Sequence, residues 1–214
     1  MEQKYNTQSL GSFEDVFVAN KLEATALEVD KILWRGTGND SNPYASVTGN
    51  LTLCSGFLQV AYDNSASTVN ITKTAMTVSN AYSIIDAVVA SVAANTPEIL
   101  DNFNIYLSPA DFQTYLSSLR TLNLYNYNTQ AEATTDLLHP GSIGAHVVRV
   151  NGLNGAASGT MIATAKENIW AVLSDESDLN FDMWFDKYLD AIALRAKLRI
   201  GCGIYQPELL HLVK

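Results

Sequence analysis

The chain has 214 residues, of which 47% are hydrophobic and only 16% are charged. That length suffices for one large domain or two lobes, and the hydrophobic fraction argues against a disordered chain. The net charge of −9 argues against a nucleic-acid-binding surface. The N-terminus has no apolar signal segment, and no apolar run approaches the roughly 20 residues of a membrane span.

A long amphipathic helix is predicted from Ser12 to Trp34. Ser12 suits the N-cap position, because its side-chain oxygen can accept a hydrogen bond from a free backbone N–H, and two acidic residues follow in the first turn. Apolar residues then recur at helical spacing as far as Leu33. Gly36-Thr-Gly38 is predicted to end the helix.

The middle of the chain predicts a second helix and then a strand followed by a third helix. The second helix spans Ser79 to Asn95, and Phe103-Asn-Ile-Tyr-Leu predicts a short strand. Ser108 and Pro109 are typical of an N-cap followed by the first helical position. The helix that they start has an apolar face of Phe112, Tyr115, Leu116 and Leu119.

Residues 121–140 are rich in Tyr, Asn and Thr and show no clear period. A loop of this length inside a compact domain usually has a function or is disordered. Strands are predicted after it, beginning at Gly144 and at Gly159, with a turn between them at residues 151–155.

The last third of the chain ends in a strictly alternating run. Ile192, Leu194, Ala196, Leu198 and Ile200 fall on one face, and Arg195, Lys197 and Arg199 fall on the other. A period of two places the apolar set against a core and the basic set toward water or a partner. Upstream, Asp182, Asp186 and Asp190 recur every four residues, which fits a helical face or an exposed strand edge.

Motifs of common active sites are missing from the sequence. It has no P-loop, Gly36-Thr-Gly38 lacks the third glycine of a dinucleotide fingerprint, and Gly155-Ala-Ala-Ser158-Gly159 is one residue out of register for a hydrolase elbow. We therefore predict no catalytic residue and no cofactor.

Metal sites and disulfides are not predicted either. His139, His146 and His211 lack metal-ligand spacing and are expected at the surface or an interface. The acidic run at residues 175–178 lacks the glycine and terminal Glu of a calcium loop, so a solvated turn is expected. Cys54 and Cys202 are interpreted as two buried small hydrophobic residues.

The order of these elements resembles the major capsid proteins of tailed bacteriophages, which have the Hong Kong 97 fold. The helix that runs into Gly36-Thr-Gly38, with Pro43 nearby, resembles the family's long spine helix, and Gly56-Phe-Leu resembles its lead into the axial lobe. The segment IYLSPADFQTYLSSL resembles a strand and helix of that lobe. The end of the chain is similar too: two strands, an acidic turn, a long strand over residues 188–201 and the tail Tyr205-Gln206-Pro207-Glu208.

This resemblance implies an α+β fold with two lobes, axial and peripheral, and a long spine helix. Residues 1–56 would form the first part of the peripheral lobe, residues 57–164 the axial lobe and residues 165–214 the rest of the peripheral lobe. Ile192, Leu194 and Leu198 would pack against the spine helix.

The resemblance also implies a structural, non-enzymatic function. The chain would be the core of a phage or prophage capsid subunit that self-associates into pentamers and hexamers of an icosahedral shell, with packaged DNA as an indirect partner. Its location would be the virion capsid, and the bacterial cytoplasm during assembly. The tip of the axial lobe, with Tyr125, Tyr127, Asn128 and His139, would form the subunit interface.

Only about eleven residues precede the predicted spine helix, whereas the family usually has an N-terminal arm and an extended loop there. We therefore expect the isolated chain to be a monomer or a weak oligomer at micromolar concentration, and no isopeptide cross-link is predicted. An encapsulin-type compartment shell, which shares the fold, is a close alternative. An α+β hydrolase or carbohydrate-binding module is an alternative from another class.

Overall fold

The computed structural model describes residues 13–38, 49–124, 136–173, 181–186, 191–196 and 199–214. The helices within these ranges are α1 (Phe13–Arg35), α2 (Phe57–Asp63), α3 (Ala81–Asn95) and α4 (Pro109–Thr121). The strands are β1 (Val69–Ile71), β2 (Phe103–Leu107), β3 (Asp136–Leu138), β4 (Ala145–Arg149), β5 (Met161–Thr164), β6 (Ile169–Leu173), β7 (Phe181–Asp186), β8 (Ala191–Ala196), β9 (Ile200–Ile204) and β10 (His211–Val213).

A six-stranded mixed sheet in the order β1-β10-β5-β2-β4-β3 forms the centre of the fold. β2 pairs with β4 in parallel, with Ile105 opposite Val147, and β10 pairs with β1 in parallel, with Leu212 opposite Asn70. The pairs β10–β5, β5–β2 and β4–β3 are antiparallel. The sheet therefore unites short segments from distant parts of the chain.

Both faces of this sheet are covered, because its strands present apolar residues in both directions. Ile105 and Leu107 of β2 face a core cluster formed with α3 and α4. Tyr106, between them, belongs to a second cluster on the other face, with Trp34 of α1 and Phe57 of α2. The Trp34 ring lies 5.0 Å, centroid to centroid, from the rings of both Phe57 and Tyr106.

The start of α4 agrees with its sequence signals. The Ser108 side chain accepts a hydrogen bond from the backbone N–H of Asp111, and Pro109 occupies the first turn, where its missing N–H costs nothing. The predicted apolar face is also present, since Phe112, Tyr115 and Leu119 are buried.

The C-terminal half of α1 is tied to the turn at residues 151–155. The backbone of Gly152 donates a hydrogen bond to the Asp30 carboxylate, and the Arg35 guanidinium donates to the carbonyl of Asn154. At the end of α1, Gly56 N–H donates to Gly36 O at 2.8 Å. A side chain on Gly56 would approach Ile32 O to 2.6 Å, so only glycine permits this contact between the two segments.

Two antiparallel strand pairs complete the described residues. β6 and β9 form a ribbon in which Trp170 is opposite Gly203 and Val172 is opposite Gly201. The inward side of this ribbon packs against the second core cluster through Ile169, Cys202 and Ile204.

β7 and β8 form a separate pair in which Asp182 is opposite Arg195. The tail is fixed by Asn168, whose side chain bonds to both the N–H and the carbonyl of Gln206.

Several expectations differ from the structure. The strand predicted over residues 188–201 is replaced by β8 and a separate strand, β9, so Gly201 lies inside a strand instead of ending one. The last strand, β10, lies between β1 and β5 in the central sheet, and the assignment of residues 165–214 to the peripheral lobe stays a prediction. Short elements that the sequence did not predict are α2, β1, β3 and β10.

The side chains of the predicted alternating face, Ile192, Leu194 and Leu198, lie outside the described residues, as does the N-cap Ser12. Among the residues that the structure describes, no helix is both long enough and apolar enough to cross a bilayer.

Candidate assembly surface

His139 lies inside the subunit, where only 1% of its surface is exposed. Its Nδ1 is joined to the Tyr115 hydroxyl by a hydrogen bond of 2.7 Å, and its ring stacks on Tyr82 with centroids 5.0 Å apart. Burial lowers the pKa of His139, while the Asp86 carboxylate, 3.8 Å from Nε2, acts in the opposite direction. The expectation of a surface histidine is therefore wrong here, because the residue anchors the base of the 121–140 segment to α4.

His211 is also buried, within β10. Its Nδ1 is 3.1 Å from Ser91 Oγ and its Nε2 is 2.8 Å from Thr96 Oγ1, so both ring nitrogens have partners from α3 and its end. Burial lowers the pKa of His211 to about 4. This histidine is a neutral structural residue, and the expectation of a surface position is wrong for it too. His146 is the partly exposed one, 3.1 Å from Asp136.

The serine beside Gly159 is part of a structural network. Ser158 Oγ donates to Asp111 Oδ1 at 2.8 Å and accepts from Met76 N at 3.0 Å, while Gly159 N–H donates to Asp111 Oδ2 at 3.0 Å. Asp111 is 3% exposed. The partners of Ser158 are thus an acid and a backbone amide, with no histidine base to activate it.

The chemistry of the described residues gives no support to an active site. No group of three or more His, Cys, Asp or Glu residues among them is placed to hold a metal ion. The two buried histidines cannot meet a substrate, since their surfaces are at most 1% exposed. The surface is therefore the more informative place to look for function.

Exposed leucines flank the segment that was predicted to form the tip of the axial lobe. Leu122 and Leu124 follow α4, and Leu138 lies in β3; between 40% and 49% of each is exposed. We call these three residues the tip flank. Tyr125, Tyr127 and Asn128 lie between them in sequence and outside the described residues. Contiguous exposed apolar patches mark protein–protein contacts, whereas single exposed leucines are ordinary, so the interest of these three rests on the predicted position of the tip.

The outer face of the β6–β9 ribbon is a second exposed apolar surface. Trp170 and Val172 are about half exposed on one face of β6. Their partners across the ribbon are Gly203 and Gly201, and the Trp170 indole lies over Gly203. Tyr205, just beyond β9, is also exposed. We call Trp170, Val172 and Tyr205 the ribbon face.

Residues 19–27 of α1 are exposed on every side of the helix in the described structure. All side chains from residue 19 to residue 27 are exposed, including Leu22 and Leu27, whereas Ile32 and Trp34 are buried. The helix predicted from sequence is thus present, but only its C-terminal end contributes to the described core.

The fold is similar to solved structures of viral particles. One is the procapsid of satellite phage P4 that includes the size determination (Sid) protein: 14% identity, 95% of this chain and 67% of that chain covered, TM-score 0.60. A second is Mycobacterium phage Che8: 15% identity, 100% of this chain and 67% of that chain covered, TM-score 0.56. A third is the capsid of an empty GTA particle: 13% identity, 94% of this chain and 65% of that chain covered, TM-score 0.55.

The chain has the fold of phage capsid proteins. This confirms the fold class predicted from the sequence, although the division into two lobes stays a prediction. The chain spans about two-thirds of the length of these capsid chains. No protein-family profile and no curated sequence matches it, so the similarity is one of fold.

Proposed function

We propose that this chain is a structural subunit of a phage-type capsid that self-associates into a shell. The observation that carries the proposal is the match of at least 94% of the chain to each of three particle structures. The whole of the described fold, and not one common motif, is shared with shell proteins. The three particles compared above are those of two phages and a GTA, and the encapsulin alternative is not better supported.

The exposed apolar residues support self-association. The tip flank offers Leu122, Leu124 and Leu138 on both sides of the tyrosine-containing segment, and tyrosine is enriched at protein interfaces. We propose that this region, with Tyr125, Tyr127 and Asn128, meets neighbouring copies around a symmetry axis, as pentamers and hexamers. His139 contributes by fixing the base of the segment through Tyr115, and not by direct contact.

The charge of the chain fits a shell around DNA. A net charge of −9 disfavours tight binding to phosphate groups, so a shell of such subunits would enclose DNA without adhering to it. We propose a location in the virion capsid, reached by assembly in the host cytoplasm. Among the described residues, a metal-dependent hydrolase function has no supporting cluster of ligands. That the chain is not an enzyme stays a prediction.

Electron microscopy of the concentrated, mildly cross-linked protein tests this proposal. Negative staining should show flat ring-shaped oligomers of five or six subunits. If the cross-linked protein contains only randomly oriented pairs and no ring appears among the class averages, the proposal that the chain is a capsid subunit is contradicted. The Leu122→Asp variant should lose the rings, whereas Val78→Asp, which places the same charge at an exposed apolar site outside the tip flank, should keep them.

A further inference from the structure

The fold brings together two cysteines that are far apart in sequence. Cys54 lies in the loop that precedes α2, and Cys202 lies in the middle of β9. The sulfur of Cys54 is 3.5 Å from the carbonyl oxygen of Ser55, and the sulfur of Cys202 is 3.1 Å from the same oxygen. Because both sulfurs lie within 3.5 Å of one atom, they are separated by at most twice that distance.

Each thiol also reaches the backbone of the other's segment. Cys54 Sγ lies 3.7 Å from Ile200 O, two residues before Cys202, while Cys202 contacts Ser55, one residue after Cys54. The segment around Cys54 is held in place by the antiparallel bridge between Thr37 and Ser55, and α2 packs against β9. A disulfide needs the two sulfurs about 2.05 Å apart and the Cα atoms about 4.4–6.8 Å apart, so the two sulfurs must approach each other for the bond to form.

We propose that Cys54 and Cys202 are a reversible thiol pair that closes into an intramolecular disulfide when a small-molecule disulfide such as oxidised glutathione is present. The Cys54 thiolate attacks one sulfur of the oxidant, forms a mixed disulfide and releases one glutathione thiolate. The Cys202 thiol then loses its proton and attacks the Cys54 sulfur, which displaces the second glutathione. Two protein thiols are oxidised, and one glutathione disulfide is reduced to two glutathiones.

The structure also sets the order of these steps. Burial raises the pKa of the Cys202 thiol to about 12, and the neighbouring Cys54 adds to the effect. Cys202 is therefore almost entirely protonated near neutral pH and is the poorer first nucleophile. Closure of the ring by Cys202 should be the slow step. Its rate should rise about tenfold for each pH unit between pH 7 and pH 9, because the thiolate fraction does so.

The bond would join the loop at the end of α1 to the ribbon. Cytosolic thiols stay reduced, whereas disulfides persist outside the cell. If the chain is a capsid subunit, which is the proposed function above, the pair would stay open during assembly and close after release. The thiol chemistry itself does not depend on that function, so it can be tested on the isolated chain.

The test is oxidation of the folded, reduced protein by glutathione disulfide, followed by intact mass, thiol counting and thermal melting. The proposal expects a monomer that has lost two hydrogens and both reactive thiols. A tryptic peptide should link residues 54 and 202, and the Tm should rise by roughly 5–15 °C. The Cys54→Ser and Cys202→Ser variants serve as controls and should not gain that Tm increase.

Three results would overturn the proposal, and the wild-type chain alone can give each of them. One is that both thiols are still free after the protein has been incubated with glutathione disulfide at pH 9 for long enough to form a mixed disulfide. Another is stable addition of two glutathiones per chain, which would show that the sulfurs cannot meet. The third is a product made only of disulfide-linked dimers. None of these results bears on whether the chain forms rings.

Discussion

The Asp111 carboxylate joins the start of α4 to the turn before β5, because its Oδ1 accepts a hydrogen bond of 2.8 Å from Ser158 and its Oδ2 accepts one of 3.0 Å from the Gly159 N–H. The group is buried, so it depends on these partners for the solvation that it has lost. Two segments 47 residues apart are thereby fixed on one side of the central sheet.

Replacing Asp111 with Ala should lower the free energy of unfolding by about 2–4 kcal/mol, since the buried donors of Ser158 and Gly159 lose a charged acceptor. Urea denaturation at pH 7 measures the loss. Thr114→Ala is the control on the same helix, because the Thr114 hydroxyl is exposed and bonds only to the carbonyl of Ala110. Losses of equal size in the two variants would show that the Asp111 network contributes little.

The backbone at Gly152 packs closely against α1, which predicts that adding one methyl group at this position lowers the free energy of unfolding strongly. A Cβ at this position would overlap the Asp30 carbonyl oxygen and the Trp34 side chain of α1. Gly152→Ala should therefore destabilise the protein by about 2–4 kcal/mol, because the helix has to move. Gly201→Ala is the matched control, since nothing lies within 4 Å of its Cβ position, and it should stay within about 0.5 kcal/mol. A tolerated Gly152→Ala would contradict the described contact between α1 and the turn.

The Tyr115–His139 hydrogen bond predicts that loss of the Tyr115 hydroxyl lowers the stability of the folded chain. Tyr115→Phe removes only the hydroxyl and leaves His139 Nδ1 without a partner inside the subunit, which should cost about 1–3 kcal/mol. Tyr82→Phe removes a longer and partly exposed bond of 3.3 Å to Pro140 O, so it should cost less than about 1 kcal/mol. Chemical denaturation of both variants gives the comparison, and the opposite ranking would be inconsistent with a buried anchor.

His211 predicts a dependence of stability on pH. Its pKa is about 4 in the folded chain and about 6.5 as a free side chain, so the unfolded state binds the extra proton first. The stability that this group contributes is present above pH 6.5 and is lost as the pH falls from 6.5 toward 4, by about 3 kcal/mol in total. The His211→Gln variant should show a smaller loss between pH 7 and about pH 4.5 than the wild type. His146→Gln is the control at a half-exposed histidine, and a wild-type pH dependence in His211→Gln would refute this assignment.

The sequence predicts the longer elements of the fold because their signals are local. α4 has a Ser-Pro start and four apolar residues on one face, and α3 has a valine-rich stripe, so neither needs distant contacts to be recognised. The three-residue strands β1 and β10 are different. Val69–Ile71 and His211–Val213 are strands because they pair with each other, and the second of them also pairs with β5; no three-residue pattern can show such pairing.

The roles of single polar residues were equally hard to predict. His139 and His211 were expected at the surface or an interface because they lack metal-ligand spacing, and their hydroxyl partners are 24 and 115 residues away in sequence. The thiols of Cys54 and Cys202 meet only because the loop at the end of α1 lies beside β9. The capsid resemblance could be recognised because it rests on the order of many elements, which the short unpredicted strands do not alter.

Sedimentation velocity over a range of concentrations measures whether the chain self-associates as a shell subunit should. We expect a weight-average sedimentation coefficient that rises with concentration as weak oligomers form. The rise should be reduced in Leu122→Asp and unchanged in Val78→Asp, which adds the same charge at another exposed apolar site. A chain that stays monomeric up to about 1 mM, where even weak specific interfaces associate, would contradict its assignment as a self-associating shell subunit. An equal loss of association in both variants would contradict the assignment of the tip flank.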